Sequence, residues 1–150
     1  MTSIDIRLRP FKESDLPFCR DSFYKGAASA HDFTGMDQNI IKPGLRARFD
    51  RFLPYADIVI ACDVEHDEPL FGWAAVTNLP THSIVWWVYV KSGYRNFGFA
   101  RSLIDESVTT DKIYYPFRSR ASTAVALSFD AIYHPFLLED LLENPQTMHI

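Results

Sequence analysis

The stretch YVKSGYRNFGFARSLI, residues 89–104, joins an apolar run to an amphipathic one through Gly93 and Gly98. If a helix starts there, its first four amide groups have no partner inside the helix and its end carries partial positive charge. Such a helix mouth holds an anion, provided the ligand can reach the backbone. Gly98 removes a side chain where a pyrophosphate would approach, Ala100 keeps the first turn open, and Arg95 and Arg101 add positive charge. The plainer alternative is a glycine turn that only redirects the chain, because glycine fingerprints alone match many unrelated sequences. The order of features favours the anion site: buried strand, small-residue turn, amphipathic helix.

The elements around this turn follow from periodicity. Ile4, Ile6 and Leu8 alternate with charged residues, as in a half-buried strand that Pro10 ends. Ser14 is placed to cap a helix carrying Leu16, Cys19 and Phe23 on one face, with Gly26 as its stop. Residues 27–41, the least periodic part of the chain, read as a long loop with a turn of helix. Pro43 then opens a second helix with Leu45, Phe49 and Phe52 inward and Arg46, Arg48 and Arg51 on the solvated side, ended by Pro54. DIVIACD and LFGWAAVTN form a hairpin around the polar VEHDEP, in which His66 faces solvent. In SIVWWVYVK, alternation sends Ile84, Trp86, Val88 and Val90 one way and Val85, Trp87 and Tyr89 the other. Both faces are apolar, so helices must cover both. From Arg95, a helix of about four turns follows, with Ala100, Leu103 and Ile104 on its inner stripe.

The fold class expected is therefore α/β, or α+β: a central mixed sheet with helices on both faces, in one domain over residues 1–150. That length can bury a sizeable core, and 47% of the residues are hydrophobic. A net charge of −4 gives no global basic excess, so a nucleic-acid partner is not expected. No apolar run is long enough for a membrane span, and the polar–apolar start does not suit a signal peptide. The cytoplasm is the expected compartment. Cys19 and Cys62 have neither zinc spacing nor a disulfide pattern, and no metal site is expected.

Arg95, Gly98 and Ala100 match R/Q-x-x-G-x-G/A, and the segment resembles the acyl-CoA signature of the GNAT superfamily of N-acetyltransferases. The opening IRLRPFKESDLPFC is similar to the usual first strand and helix of that family, and the element order matches over roughly residues 4–110. More narrowly, the compact length and the closing YHPFLL resemble short GNAT-like proteins of phages and prophages, which would put the protein in a host cytoplasm. The resemblance implies acetyl-CoA as co-substrate. Backbone amides of Asn96, Phe97, Gly98, Phe99 and Ala100 would bind its pyrophosphate, beside Arg95 and Arg101. Main-chain groups of Val88, Tyr89 and Val90 would pair with the pantetheine arm, freed where that strand splays from KIYYPF, residues 112–117. An acceptor amine would attack the thioester directly. The family often places a tyrosine on the helix after the fifth strand to protonate the leaving thiolate, and Tyr133 is the match. Glu65, His82 and His134 are the choices for a base, with nothing to separate them, since no carboxylate occupies the Trp86 strand.

The match thins towards the C-terminus. RSRASTAVALSF can supply a helix, but PFLLEDLLEN reads as a short amphipathic helix where the family has a long hairpin. Three alternatives follow for this shortened part. A partner chain, a second copy included, could close the acceptor cleft. An open cleft could suit a macromolecular acceptor. Or the fold could serve as a non-catalytic interaction protein, such as a phage factor that binds a host component or travels in the virion. Phe97 and Phe99 are bulkier than the signature leads one to expect.

Overall fold

The computed structural model describes residues 6–30, 33–95, 98–118, 125–126 and 128–143. In chain order the elements are Ile6–Pro10 (β1), Leu16–Ala28 (α1), Gln38–Phe52 (α2), Asp57–Asp63 (β2), Leu70–Asn78 (β3) and Ser83–Val90 (β4). Phe99–Ser107 (α3), Ile113–Tyr115 (β5), Ile132–Tyr133 (β6) and Leu137–Glu143 (α4) complete them. The strands form one mixed sheet in the order β1-β2-β3-β4-β5-β6. Neighbours from β1 to β4 are antiparallel, and β4-β5 and β5-β6 are parallel. The expected architecture is the observed one. One face carries an aromatic core in which Phe23 of α1 and Phe49 and Phe52 of α2 meet Trp73, Trp86 and Trp87. The other packs Phe99, Leu103 and Ile104 of α3 on Phe71, Val85 and Val88.

Several local expectations change, each for a packing reason. Gly26 does not stop α1, which continues to Ala28. A Cβ at Gly26 would lie 2.6 Å from Cζ2 of Trp87, so this glycine makes room for an indole. Ser14 lies in a 3-10 turn, Glu13–Asp15, rather than capping α1. Asp15 closes that turn: its carboxylate accepts from the Lys12 N–H and from both terminal nitrogens of Arg9, at 2.8 Å each. The second helix starts five residues before Pro43, at Gln38, because the Asp37 carboxylate accepts from the Asn39 N–H and caps it. Its arginines do not share one face. Arg46 leans towards α1 and donates to the Tyr24 hydroxyl, whereas Arg48 lies over Phe117 on another flank.

The third helix is nine residues rather than four turns. Asn78 limits its far end: its amide donates to the Ser107 carbonyl, and its Oδ1 accepts from the Thr109 N–H and the Ser83 hydroxyl. The strand expected at 112–117 is confined to β5. Of the helix expected over 118–129, residues 119–124 and 127 lie outside the described ones, and Val125, Ala126 and Ser128 are helical. The closing amphipathic helix is α4, which buries Leu138 and Leu141.

Candidate active site

The site begins with an irregularity in β4. Ala75 faces Trp87 while Val76 faces Val85, which leaves Trp86 as an extra residue, a β-bulge. An extra residue reverses alternation beyond it. Ile84, Trp86, Trp87 and Tyr89 therefore belong to the aromatic face, and Val85, Val88 and Val90 to the α3 face. This corrects the alternation expected from sequence. The bulge also re-aims the backbone. The Lys91 N–H donates to the Phe71 carbonyl across the β3 edge, at 2.8 Å. By antiparallel alternation, Val88 and Val90 turn their N–H and C=O groups to the other edge.

On that edge β5 has departed. It pairs with β4 only at Ser83–Ile113 and Ile84–Tyr114, and then turns towards β6. A wedge opens between β4 and β5 at the carboxyl ends of the parallel strands, where ligands of open α/β sheets bind. Val85, Val88, Ile113, Tyr115 and Phe117 are among its lining residues.

The turn after β4 stands at the wide end of the wedge. Ser92–Tyr94 is a 3-10 turn, and the Tyr94 ring packs against Phe71, 4.3 Å between centroids. Arg95 does not point away from the strand; its Nε donates to the Val90 carbonyl at 2.9 Å and ties the turn down. Asn96 and Phe97 lie outside the described residues. Gly98 has φ 80°, the left-handed region, and a Cβ built there would meet nothing within 4 Å among the described residues beyond its chain neighbours. Its carbonyl accepts the first α-helical bond, from the Ser102 N–H. The backbone angle favours glycine there. Phe99 is buried and packs on the sheet, while Ala100 is only half-buried. Arg101 is exposed, with its guanidinium over the Phe129 ring.

The residues expected to move protons are scattered. Tyr133 is in β6, not on a helix; its ring lies 5.4 Å from that of Tyr115 and 4.5 Å from the Arg118 guanidinium carbon. Tyr115, one strand nearer β4, lines the wedge itself, a residue that sequence reasoning missed. Its signal in the sequence is its place in KIYYPF, the strand expected to splay from β4. His134 is engaged at both ring nitrogens: Nδ1 accepts from the Phe136 N–H, and Nε2 lies 3.5 Å from the Asp140 carboxylate. His82 precedes β4 at the closed end of the wedge, roughly 20 Å of strand from Val88. Burial, and then Lys112, hold its pKa below the usual imidazole value. Glu65 is exposed in the turn between β2 and β3, its N–H bonded to Asp63. Of the expected site residues, Val88 lines the wedge, with Tyr115 opposite it, while Arg95 bonds the Val90 carbonyl and Gly98 and Ala100 stand at the start of α3. Glu65 and His82 lie elsewhere.

No protein-family model and no curated protein matches the chain. Solved structures do. An acetyl transferase of Pyrococcus furiosus, so assigned on a provisional basis, superposes with a TM-score of 0.64 at 11% identity, over 83% of this chain and 91% of that one. A provisionally assigned acetyltransferase of Clostridium difficile 630 gives 0.54 at 15%, over 86% and 91%. A GCN5-related N-acetyltransferase structure from Rhodopseudomonas palustris gives 0.50 at 20%, over 71% of this chain and 65% of that one. The chain has the GNAT acetyltransferase fold. At these identities the likeness is one of fold, and fold alone does not assign an activity.

Proposed function

We propose that the protein is an acyl-CoA-dependent N-acetyltransferase that moves an acetyl group from acetyl-CoA to an amine. The observation that carries this reading is the divergence of β5 from β4 after two residue pairs, which leaves the outer edge of Val88 beyond the reach of β5, next to a Val90 carbonyl held by Arg95. The diphosphate sits on the amides of the first turn of α3, with Arg101 close by. The pantetheine arm adds to the β4 edge as a further strand. Arg95 contributes by fixing the Val90 end of that edge rather than by charge alone.

In the reaction, the amine nitrogen attacks the thioester carbonyl carbon, a C–N bond forms and the C–S bond breaks. The amine loses a proton to a base or to water, and the departing thiolate gains one. Tyr133 or Tyr115 supplies the second proton, and phenylalanine at the responsible position lowers kcat while leaving the Kd for acetyl-CoA unchanged. The acceptor is an amine of a protein or small molecule. The cytoplasm is the fitting compartment, because acetyl-CoA is abundant there.

Calorimetric titration with acetyl-CoA tests the reading, with released CoA followed by a thiol reagent over a panel of amines. Gly98→Ala separates strain from ligand contact: the left-handed angle costs a side chain about 1–2 kcal/mol of stability, yet the variant still binds. Gly98→Glu puts bulk and negative charge at the diphosphate and loses binding. Acetyl-CoA binding by Gly98→Glu equal to that of the parent would overturn the assignment of the turn.

A further inference from the structure

The wedge where the pantetheine arm would lie is already filled. The void left in it is about 20 Å3, room for about one water molecule. Phe129 and Ala131 close it, packed with Val85, Val88 and Ile104 of the α3-face core. One observation sets this filling apart from ordinary core packing. The Phe129 ring lies beneath the Arg101 guanidinium, 5.2 Å from Cζ to the ring centroid, and Arg101 belongs to the first turn of α3. Asp130, the next residue after Phe129, has φ 53°, a left-handed turn angle that aspartate adopts more readily than most residues.

We propose that Phe129 is a plug, held in the wedge by Arg101, and that the diphosphate of the incoming acyl-CoA releases it by competing for that guanidinium. The proposal rests on the acyl-CoA reading above. A guanidinium gains far more from charge-assisted, bidentate bonds to phosphate oxygens than from the face of a phenyl ring. When Arg101 turns to the diphosphate, Phe129 loses its partner. The turn at 128–131, held by the Phe129 and Ala131 N–H groups on the Ala126 carbonyl, then swings off Val88. In the free protein the closed form predominates, so apparent affinity is reduced by the open fraction. The plug keeps the apolar wedge dry until the ligand's charged end has docked, which orders the binding events.

The test is stopped-flow and calorimetric titration with CoA of the full chain and of Phe129→Ala and Phe129→Leu, with thermal melts to verify folding. For the parent, the observed rate should level off at high CoA as opening becomes limiting. Phe129→Ala should bind about three- to tenfold tighter, with a rate that rises linearly, and Phe129→Leu should fall between. A ring that merely packs would give weaker binding on truncation. Equal or weaker binding by the folded variants, or a parent rate that never levels off, overturns the plug while the acyl-CoA reading stands. If neither the parent nor the variants bind CoA, both fall. Binding by Phe129→Ala alone supports the plug in its strictest form.

Discussion

At the scale of single residues, two glycines are required for opposite reasons. Gly98 has a left-handed backbone angle that strains other side chains and meets nothing within 4 Å among the described residues beyond its chain neighbours; Gly26 has an ordinary helical angle and no space. In Gly26→Ala, helix propensity favours alanine by about 1 kcal/mol. Against that, the new methyl meets an indole already in contact with Phe23, 4.9 Å between centroids, in a core where overpacking costs about 1–3 kcal/mol. The clash wins, because Trp87 is only 2% exposed and has nowhere to go. Urea denaturation should show a net loss of about 1 kcal/mol with altered tryptophan fluorescence. A stabilised variant would show that the ring can slide.

At the scale of elements, the entry of the chain is pinned by one ion pair. Arg9 of β1 and Asp15 ahead of α1 are 6% and 3% exposed and meet through two hydrogen bonds. The bond from Arg9, with help from the Lys12 N–H, holds the Asp15 carboxyl below its ordinary value of 3.8. A depressed acid stabilises the fold above its unfolded pKa, and that contribution disappears as pH falls through the native value. The loss therefore begins near pH 4 and grows downward. Removing one partner strands a buried charge, so Asp15→Ala should cost about 3–5 kcal/mol at pH 7. Urea midpoints at pH 6 and pH 3 check this: the parent weakens between them, and the variant, already weak, changes much less. Lys12 and Arg7 converge on Asp67 nearby, holding it at about 2, but in full solvent that cluster is salt-screened and secondary.

At the scale of the whole molecule, the sheet separates two cores of different character. Aromatic rings of α1 and α2 fill one side, and aliphatic contacts of α3 fill the other. The wedge cuts the sheet between β4 and β5, so a ligand there spans what the backbone leaves unpaired. Bound acetyl-CoA should therefore stabilise the fold as a whole. At a free concentration of 100 times Kd, linkage supplies about 2.7 kcal/mol, equivalent to a rise of roughly 5–10 °C in Tm. Differential scanning fluorimetry should show that rise for the parent and none for Gly98→Glu. No shift for the folded parent would argue against a ligand in the wedge.

Element types, their order and the small-residue turn were legible in the residues because hydrophobic periodicity and glycine chemistry are local. Ile6 and Leu8, the run from Ser83 to Val90, and the stripe through Leu103 and Ile104 all formed what their spacing implies. What distant atoms impose was not legible. The bulge at Trp86 reverses a face and follows from its register with Ala75 and Val76. The helical Gly26 follows from an indole sixty-one positions away. Tyr115, rather than Tyr133, borders the wedge because β5 leaves β4, and Phe129 borders it too, under the Arg101 guanidinium. Local preferences set the parts; which backbone edge stays unpaired, and what fills the space beside it, is a property of the packed chain.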